Sequence, residues 1–521
     1  MMPQILKVLV FTELRLRLRR VSTLVAIAAF VAITWALIPD PRQGMTLMSV
    51  NGARVLYSST AMAFGSATFA SVLVGLGSFY LVRGRVSEDL RSGIASVIAA
   101  TQIRNYLFLA ARWLGGVLYM LGLIGALMAT TMVLHGLRGE GLIQPLVYLH
   151  NYGVLLVPMV FFGVSVALLF DSVPFLMGKA GDVLYFFVWI LQLSLMAATQ
   201  ASLTGYFPPL FMLDVSGVGV AIMQMQQVLG TTEITVGVSE FNAALPIVAL
   251  PSALWDTPIT LMRVACALLA STPMLPAILL FHRYSPDRVK VRHARARRSP
   301  LAWLNSILRP LTWLMRPLFS LAARVPGRLG QVLAEITLTL ISSPTAIAAL
   351  LISLPAAAVV ATATLPWVIF ASAAFWGILI SGLSTRDFEA NLEDMTGALI
   401  GGSTGRYLRQ LLATGLLGLL FVGVGVLRWA EHEPIRAAAL IFGVLSLSAT
   451  ASLLGRTSRS ARTFLALYLF ALYLITNAGD VPLLDWLGSH GVANATTLIL
   501  QTTVLASALF AGMIYDRQKA N

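Results

Sequence analysis

The chain has 521 residues, of which 58% are hydrophobic and only 11% charged, with a mean hydropathy of +0.82. A soluble domain carries about 25% charged residues, so this chain cannot clothe a water-facing surface and is read as a polytopic membrane protein. Its net charge of +14 does not point to nucleic acid, because the Lys and Arg residues stand between apolar runs, where they serve as topology signals.

Roughly 20 apolar residues cross a bilayer as a helix. By that measure twelve spans are predicted, at 21–38, 60–82, 113–134, 154–170, 183–202, 264–281, 345–363, 367–383, 411–427, 435–454, 463–477 and 493–515. With the N-terminus inside, every Lys and Arg except Arg42, Arg54, Arg138, Arg263, Arg428 and Arg436 falls on the cytoplasmic side, which puts both termini there. The run at 21–38 lacks a small-residue cleavage site and reads as a retained helix, not a signal peptide.

Residues 2–20 form a predicted amphipathic helix rich in arginine (Arg15, Arg17, Arg19, Arg20), expected to lie along the inner membrane surface. A simple positive anchor is the plainer alternative. After the second span comes a charged inner loop, 85–106, with a counterpart at 387–408. One constant offset pairs Leu90 with Leu392, Ile98 with Ile400, Thr101 with Ser403 and Arg104 with Arg406. The surface helix has a counterpart too. Glu13-Leu14-Arg15-Leu16-Arg17-Leu18 matches Glu335-Ile336-Thr337-Leu338-Thr339-Leu340 in apolar spacing and in its leading Glu.

The expected fold is therefore all-α and polytopic, with about twelve transmembrane helices in two six-span repeats, each preceded by a surface helix. An even number of spans per half makes the repeats parallel. The predicted organisation is a first half at 1–282, a basic amphipathic cytoplasmic linker at 283–331 and a second half at 332–521. The linker opens with Arg288, Lys290, Arg292, Arg295, Arg297 and Arg298, then turns apolar with Arg309, Arg316 and Arg324 interposed, and is expected to rest on anionic membrane lipids. The first half also has a long outer segment, 204–260. Residues 218–229 within it are apolar enough for a short interfacial or re-entrant helix, read as a lid over an exit path or as a structural cap.

No catalytic constellation stands out, and the chain is read as a transport subunit with no cofactor or metal of its own. Gly401-Gly402-Ser403-Thr404-Gly405-Arg406 lacks the Lys-Ser/Thr ending that a phosphate-binding loop needs. The six histidines are scattered, Glu431-His432-Glu433 reads as a solvated turn, and the lone Cys266 excludes an intramolecular disulfide. Ion-driven carriers hold titratable groups within their spans, whereas here the acids gather in loops: Asp171, Asp182, Glu233, Glu240, Asp480 and Asp485. An ion-coupled secondary transporter of twelve spans is the alternative.

With two surface helices and two charged loops after second spans, the chain resembles ABC-2 type permease subunits (the type V exporter fold), two of them fused head to tail. The resemblance implies a coupling helix in each loop that docks a separate ATP-binding cassette subunit, two copies in all, with ATP and Mg on that partner. Carried over, Val86, Ser87, Glu88, Asp89, Leu90 and Arg91 make the first coupling segment. Asp387, Phe388, Glu389, Leu392, Glu393 and Asp394 make the second, and Glu13, Arg15 and Glu335 mark the surface helices. Glu88 with Gly93 follows the family's loop pattern, and Glu393 with Gly397 follows it less well. Arg91 faces Glu393 in the alignment, so the two ATPase contacts are expected to be unequal. Leu90, Leu392 and Phe388 are expected to be buried by the partner, with the neighbouring charges orienting it. The implied setting is an exporter in a bacterial inner membrane.

Overall fold

The computed structural model describes residues 2–199, 209–281, 300–390, 392, 395, 402–477 and 481–520. Apolar runs become helices because backbone groups withdrawn from water must be satisfied within their own segment. The chain divides into two compact units, Met1–Ala296 and Arg297–Asn521.

The first unit begins with α1 (Met2–Leu18) and α2 (Val21–Leu37), which meet at a 70° bend. Then come α3 (Ser59–Tyr80), the short α4 (Arg85–Arg91) and α5 (Ile94–Ala100), and the long α6 (Asn105–Arg138) and α7 (Pro145–Ser172). α8 (Lys179–Thr199), α9 (Val218–Leu229), α10 (Thr257–Ala270) and α11 (Met274–Leu280) complete it. α3 is the centre of the bundle and packs chiefly on α7. Gly163 of α7 lets the two backbones close in, since a Cβ there would collide with the Ser78 hydroxyl of α3.

The second unit opens with α12 (Pro300–Ile307) and α13 (Arg316–Arg324). α14 (Gly327–Ser342) and α15 (Pro344–Val359) meet at a 100° bend. Next are α16 (Leu365–Ile380), α17 (Arg386–Glu389), α18 (Gly402–Ala430), α19 (Pro434–Ser458), α20 (Ala461–Asn477) and α21 (Ala495–Ala520). Several of its contacts have counterparts in the first unit. α14 lies on α18 as α1 lies on α6, α15 packs on α18 as α2 does on α6, and α16 touches α20 as α3 touches α8. Gly455 of α19 stands against Ser384 as Gly163 stands against Ser78. Tyr185 of α8 donates its hydroxyl to the Gly75 carbonyl of α3 at 2.6 Å, and Tyr468 of α20 donates to the Ala373 carbonyl of α16 at 2.5 Å.

This is a membrane-embedded, polytopic helical protein. Among the described residues seven helices are long and apolar enough to cross a bilayer, or nine if each bent pair is one span. The other three predicted spans coincide with α8, α16 and α20, helices of 21, 16 and 17 residues. The boundary between units falls within the predicted linker, whose described part packs against α14 and α15.

The all-α expectation needs correction at one end of the first unit. β1 (Met45–Val50) and β2 (Ala53–Arg54) form a hairpin, and β3 (Ile234–Glu240) pairs antiparallel with β1 from the segment 204–260. The turn is Asn51-Gly52, both at positive φ (49° and 76°), as a tight hairpin matching strand twist requires. The same segment supplies α9 with buried Met223 and Met225, together with buried Phe211 and Trp255. The Trp255 indole N–H donates to Asn151 of α7 at 2.8 Å, so this region is a packed cap on the bundle.

Candidate functional site: a charged brace at the first inner loop

α1 presents its charges to the protein and its apolar side outwards. Val10, Glu13 and Arg17 share one face by helical spacing and are buried, while Val8, Phe11 and Leu18 are more than half exposed. The Glu13 carboxylate lies 3.2 Å from Arg112 of α6, 3.2 Å from Arg85 of α4 and 3.7 Å from Arg17. One acid thus joins α1, α4 and α6. Arg17 also donates to the Val82 carbonyl at the end of α3 (2.8 Å), satisfying a group the helix leaves open.

Burial works against the charge on Glu13, yet Arg112, Arg17 and Arg85 outweigh it and hold the carboxyl below its ordinary value. Burial also draws the Arg17 guanidinium down to about 10, which leaves it charged at neutral pH.

α4 closes the brace from the other side. Asp89 is 3% exposed and is held by Arg112 and, at 3.8 Å, by Arg85. Glu88 takes Arg85 at 2.8 Å and Arg20, at the α1–α2 bend, at 2.5 Å. Val86 enters an apolar cluster with Ala95, Phe108, Leu109, Leu168 and Phe281, against which Leu90 and Ile98 also pack. The α4–α5 elbow is therefore fixed to α6, α7 and the residue that follows α11. Its outer edge carries Arg91, Ile94 and Val97, the two apolar residues being 52% and 65% exposed.

A buried trio lies just beyond. Arg83 sits 2.6 Å from Asp182 and 3.7 Å from Asp171, beside the rings of Phe79 and Phe170. Asp171 also accepts from the Gly84 N–H at 2.8 Å. The trio ties the ends of α3, α7 and α8 together.

The second unit repeats the pattern with looser contacts. Glu335 of α14 lies 3.3 Å from Arg386 of α17 and 4.0 Å from Arg409 of α18. Asp387 pairs with Arg406 of α18 at 3.4 Å. Again one glutamate meets an arginine of a short helix (α17) and an arginine of the long helix that follows it (α18).

Val86 and Asp89 of the first segment face inwards, Ser87, Glu88 and Leu90 are half-buried, and Arg91 is exposed. In the second, Asp387 and Phe388 are half-buried, with Arg459 over the Phe388 ring at 4.8 Å. Glu389 is exposed and accepts from the Thr385 hydroxyl, Leu392 is 43% exposed, and Glu393 and Asp394 lie outside the described residues. Of the surface-helix residues, Glu13 is buried, Glu335 half-buried and Arg15 exposed.

Asp89 is thus engaged within the unit, Glu88 and Leu90 keep part of their surface open, and Ile94 and Val97 stand on the exposed edge. Reading by residue type missed Arg85, Arg112, Arg386 and Arg409. A usable signal was present, since Val86, Asp89 and Leu90 fall on one face at i, i+3 and i+4, and an inward acid there needs a cation from a neighbouring helix.

Among the described residues no cluster of His, Cys, Asp and Glu has the arrangement of a metal site. Comparison with protein-family models, with curated proteins and with solved structures finds no match, so function is argued from this geometry.

Proposed function

We propose that this chain is the transmembrane permease subunit of an ATP-driven exporter, docking separate cassette ATPases at its two inner loops. The observation that carries the reading is the twice-repeated brace: Glu13 with Arg85 and Arg112, and Glu335 with Arg386 and Arg409. A loop pinned at once to a surface helix and to the next span transmits a displacement instead of absorbing it. That is the property a mechanical coupling element requires. The contact edge in the first unit is Arg91, Ile94 and Val97, and in the second it includes Leu392 and Met395, which are 43% and 71% exposed. Exposed apolar side chains beside a charge supply the small buried core and oriented rim of a protein interface.

On this reading ATP and Mg reside on the partner, and closure of the partner ATPases drives the elbows, and through them α6 and α18. The decisive test reconstitutes the chain with a candidate cassette ATPase in proteoliposomes. Cargo movement should follow ATP, and Ile94→Asp with Val97→Asp should uncouple ATP turnover while thermal unfolding stays unchanged. Transport that stops when the proton gradient is collapsed and ignores ATP would instead establish a secondary carrier.

A further inference from the structure

The segment that leads into the second unit carries a site of its own. Pro310 and Pro317 have no N–H to give to an α-helical ladder, and Arg309–Met315 winds as a 3-10 helix between α12 and α13. With three residues per turn, side chains at i and i+3 eclipse one another. Arg309 thus stands over Thr312, and Pro310 over Trp313 beside them, with Ser306 of α12 and Arg316 of α13 at the two ends. These six residues line an open cleft of about 500 Å³. Arg309 and Arg316 are exposed, and neither forms an ion pair among the described residues.

The surroundings specify the occupant. Residues 300–334 contain Arg309, Arg316, Arg324 and Arg328 and no acid. Trp303, Ile307, Trp313 and Phe319 are all more than half exposed beside the cleft. Indole rings favour the membrane–water boundary, and arginines there meet headgroup charge. A cationic cleft bordered by apolar side chains matches a molecule with an anionic head and an acyl body.

We propose that this cleft binds the phosphate headgroup of an anionic lipid, with Arg309 and Arg316 on the phosphate oxygens and Trp313 beside the glycerol. The inference rests on the membrane reading of the chain and is independent of the ATPase reading. Asn305 of the same segment accepts the Thr345 N–H at 3.1 Å, at the bend between α14 and α15. The segment that carries the cleft is thus tied to the entry of α15.

The test is native mass spectrometry of the full chain in detergent, titrated separately with phosphatidylglycerol, phosphatidylcholine and inorganic phosphate. Phosphatidylglycerol should be retained over phosphatidylcholine. Its apparent affinity should fall roughly thirtyfold in Arg309→Glu/Arg316→Glu, as two headgroup contacts are removed. Arg309→Gln/Arg316→Gln guards against misfolding by the reversed charges and should show a smaller loss in the same direction at unchanged thermal stability. Equal retention of phosphatidylglycerol by the wild type and the glutamine variant overturns the proposal. So does equal retention of phosphatidylcholine, or displacement of the lipid by inorganic phosphate at comparable concentration.

Discussion

Glu13 and Glu335 occupy the same place in two versions of one motif, and their surroundings differ. Glu13 is 9% exposed and has arginine partners at 3.2, 3.2 and 3.7 Å, whereas Glu335 is 16% exposed with partners at 3.3 and 4.0 Å. Arg112 beside Glu13 is 2% exposed, while Arg386 beside Glu335 is 41% exposed. An ion pair with solvent around it contributes little, but a buried one becomes costly to break once formed. A shared pattern thus yields a stiff joint in the first unit and a less stiff one in the second.

The largest expected effect follows directly. Glu13→Ala leaves Arg17 and Arg112 buried without that partner and should destabilise the protein by ~3–5 kcal/mol. Glu335→Ala should cost about 1 kcal/mol or less. Thermal unfolding of the purified variants measures both, and equal losses would break the contrast between the joints.

Next come the glycines at which both units are alike. Gly163→Ala pushes a methyl into Ser78 of α3 and Gly455→Ala pushes one into Ser384 in the turn after α16, each at a cost of about 1–3 kcal/mol. Ser78→Gly and Ser384→Gly should relieve the respective losses in double variants. If only the first unit responds, the likeness of the two helix crossings fails.

Acid provides a gentler probe of the stiff joint. The Glu13 carboxyl is depressed below its ordinary 4.5, so its contribution is present above that pH and is lost as pH falls through the lower folded value. Wild-type stability should therefore decline below about pH 4.5 more steeply than that of Glu13→Gln, as followed by unfolding at stepped pH. The smallest effect is expected at the open edge, where Ile94→Ser should change stability by no more than about 0.5 kcal/mol. A larger loss would mean that this edge is already packed.

Apolar runs were legible in the sequence, because a span is a local property of some twenty residues. So was the pairing of Glu13 with Glu335, each opening an alternating stretch. What they touch was not, since Arg112 lies on another helix and its approach depends on how α1 lies across α6. The polar loop 85–91 suggested an outward surface by composition, yet its own register turned Val86 and Asp89 inwards. The sheet was missed for a different reason. Asn51-Gly52 is a hairpin turn, and Ile234–Glu240 alternates with period two, but a search for long apolar stretches passes over both.

The pairing of Met48 with Val236 and of Ser49 with Thr235 closes a loop of chain that runs from α3 to α9. Such a loop cannot shut until α8 has been threaded and the chain has come back to the starting side. Closure is thus a late, entropically expensive step in biogenesis. Pulse-labelled amide exchange at Met48 and Val236 would time the completion of the first unit.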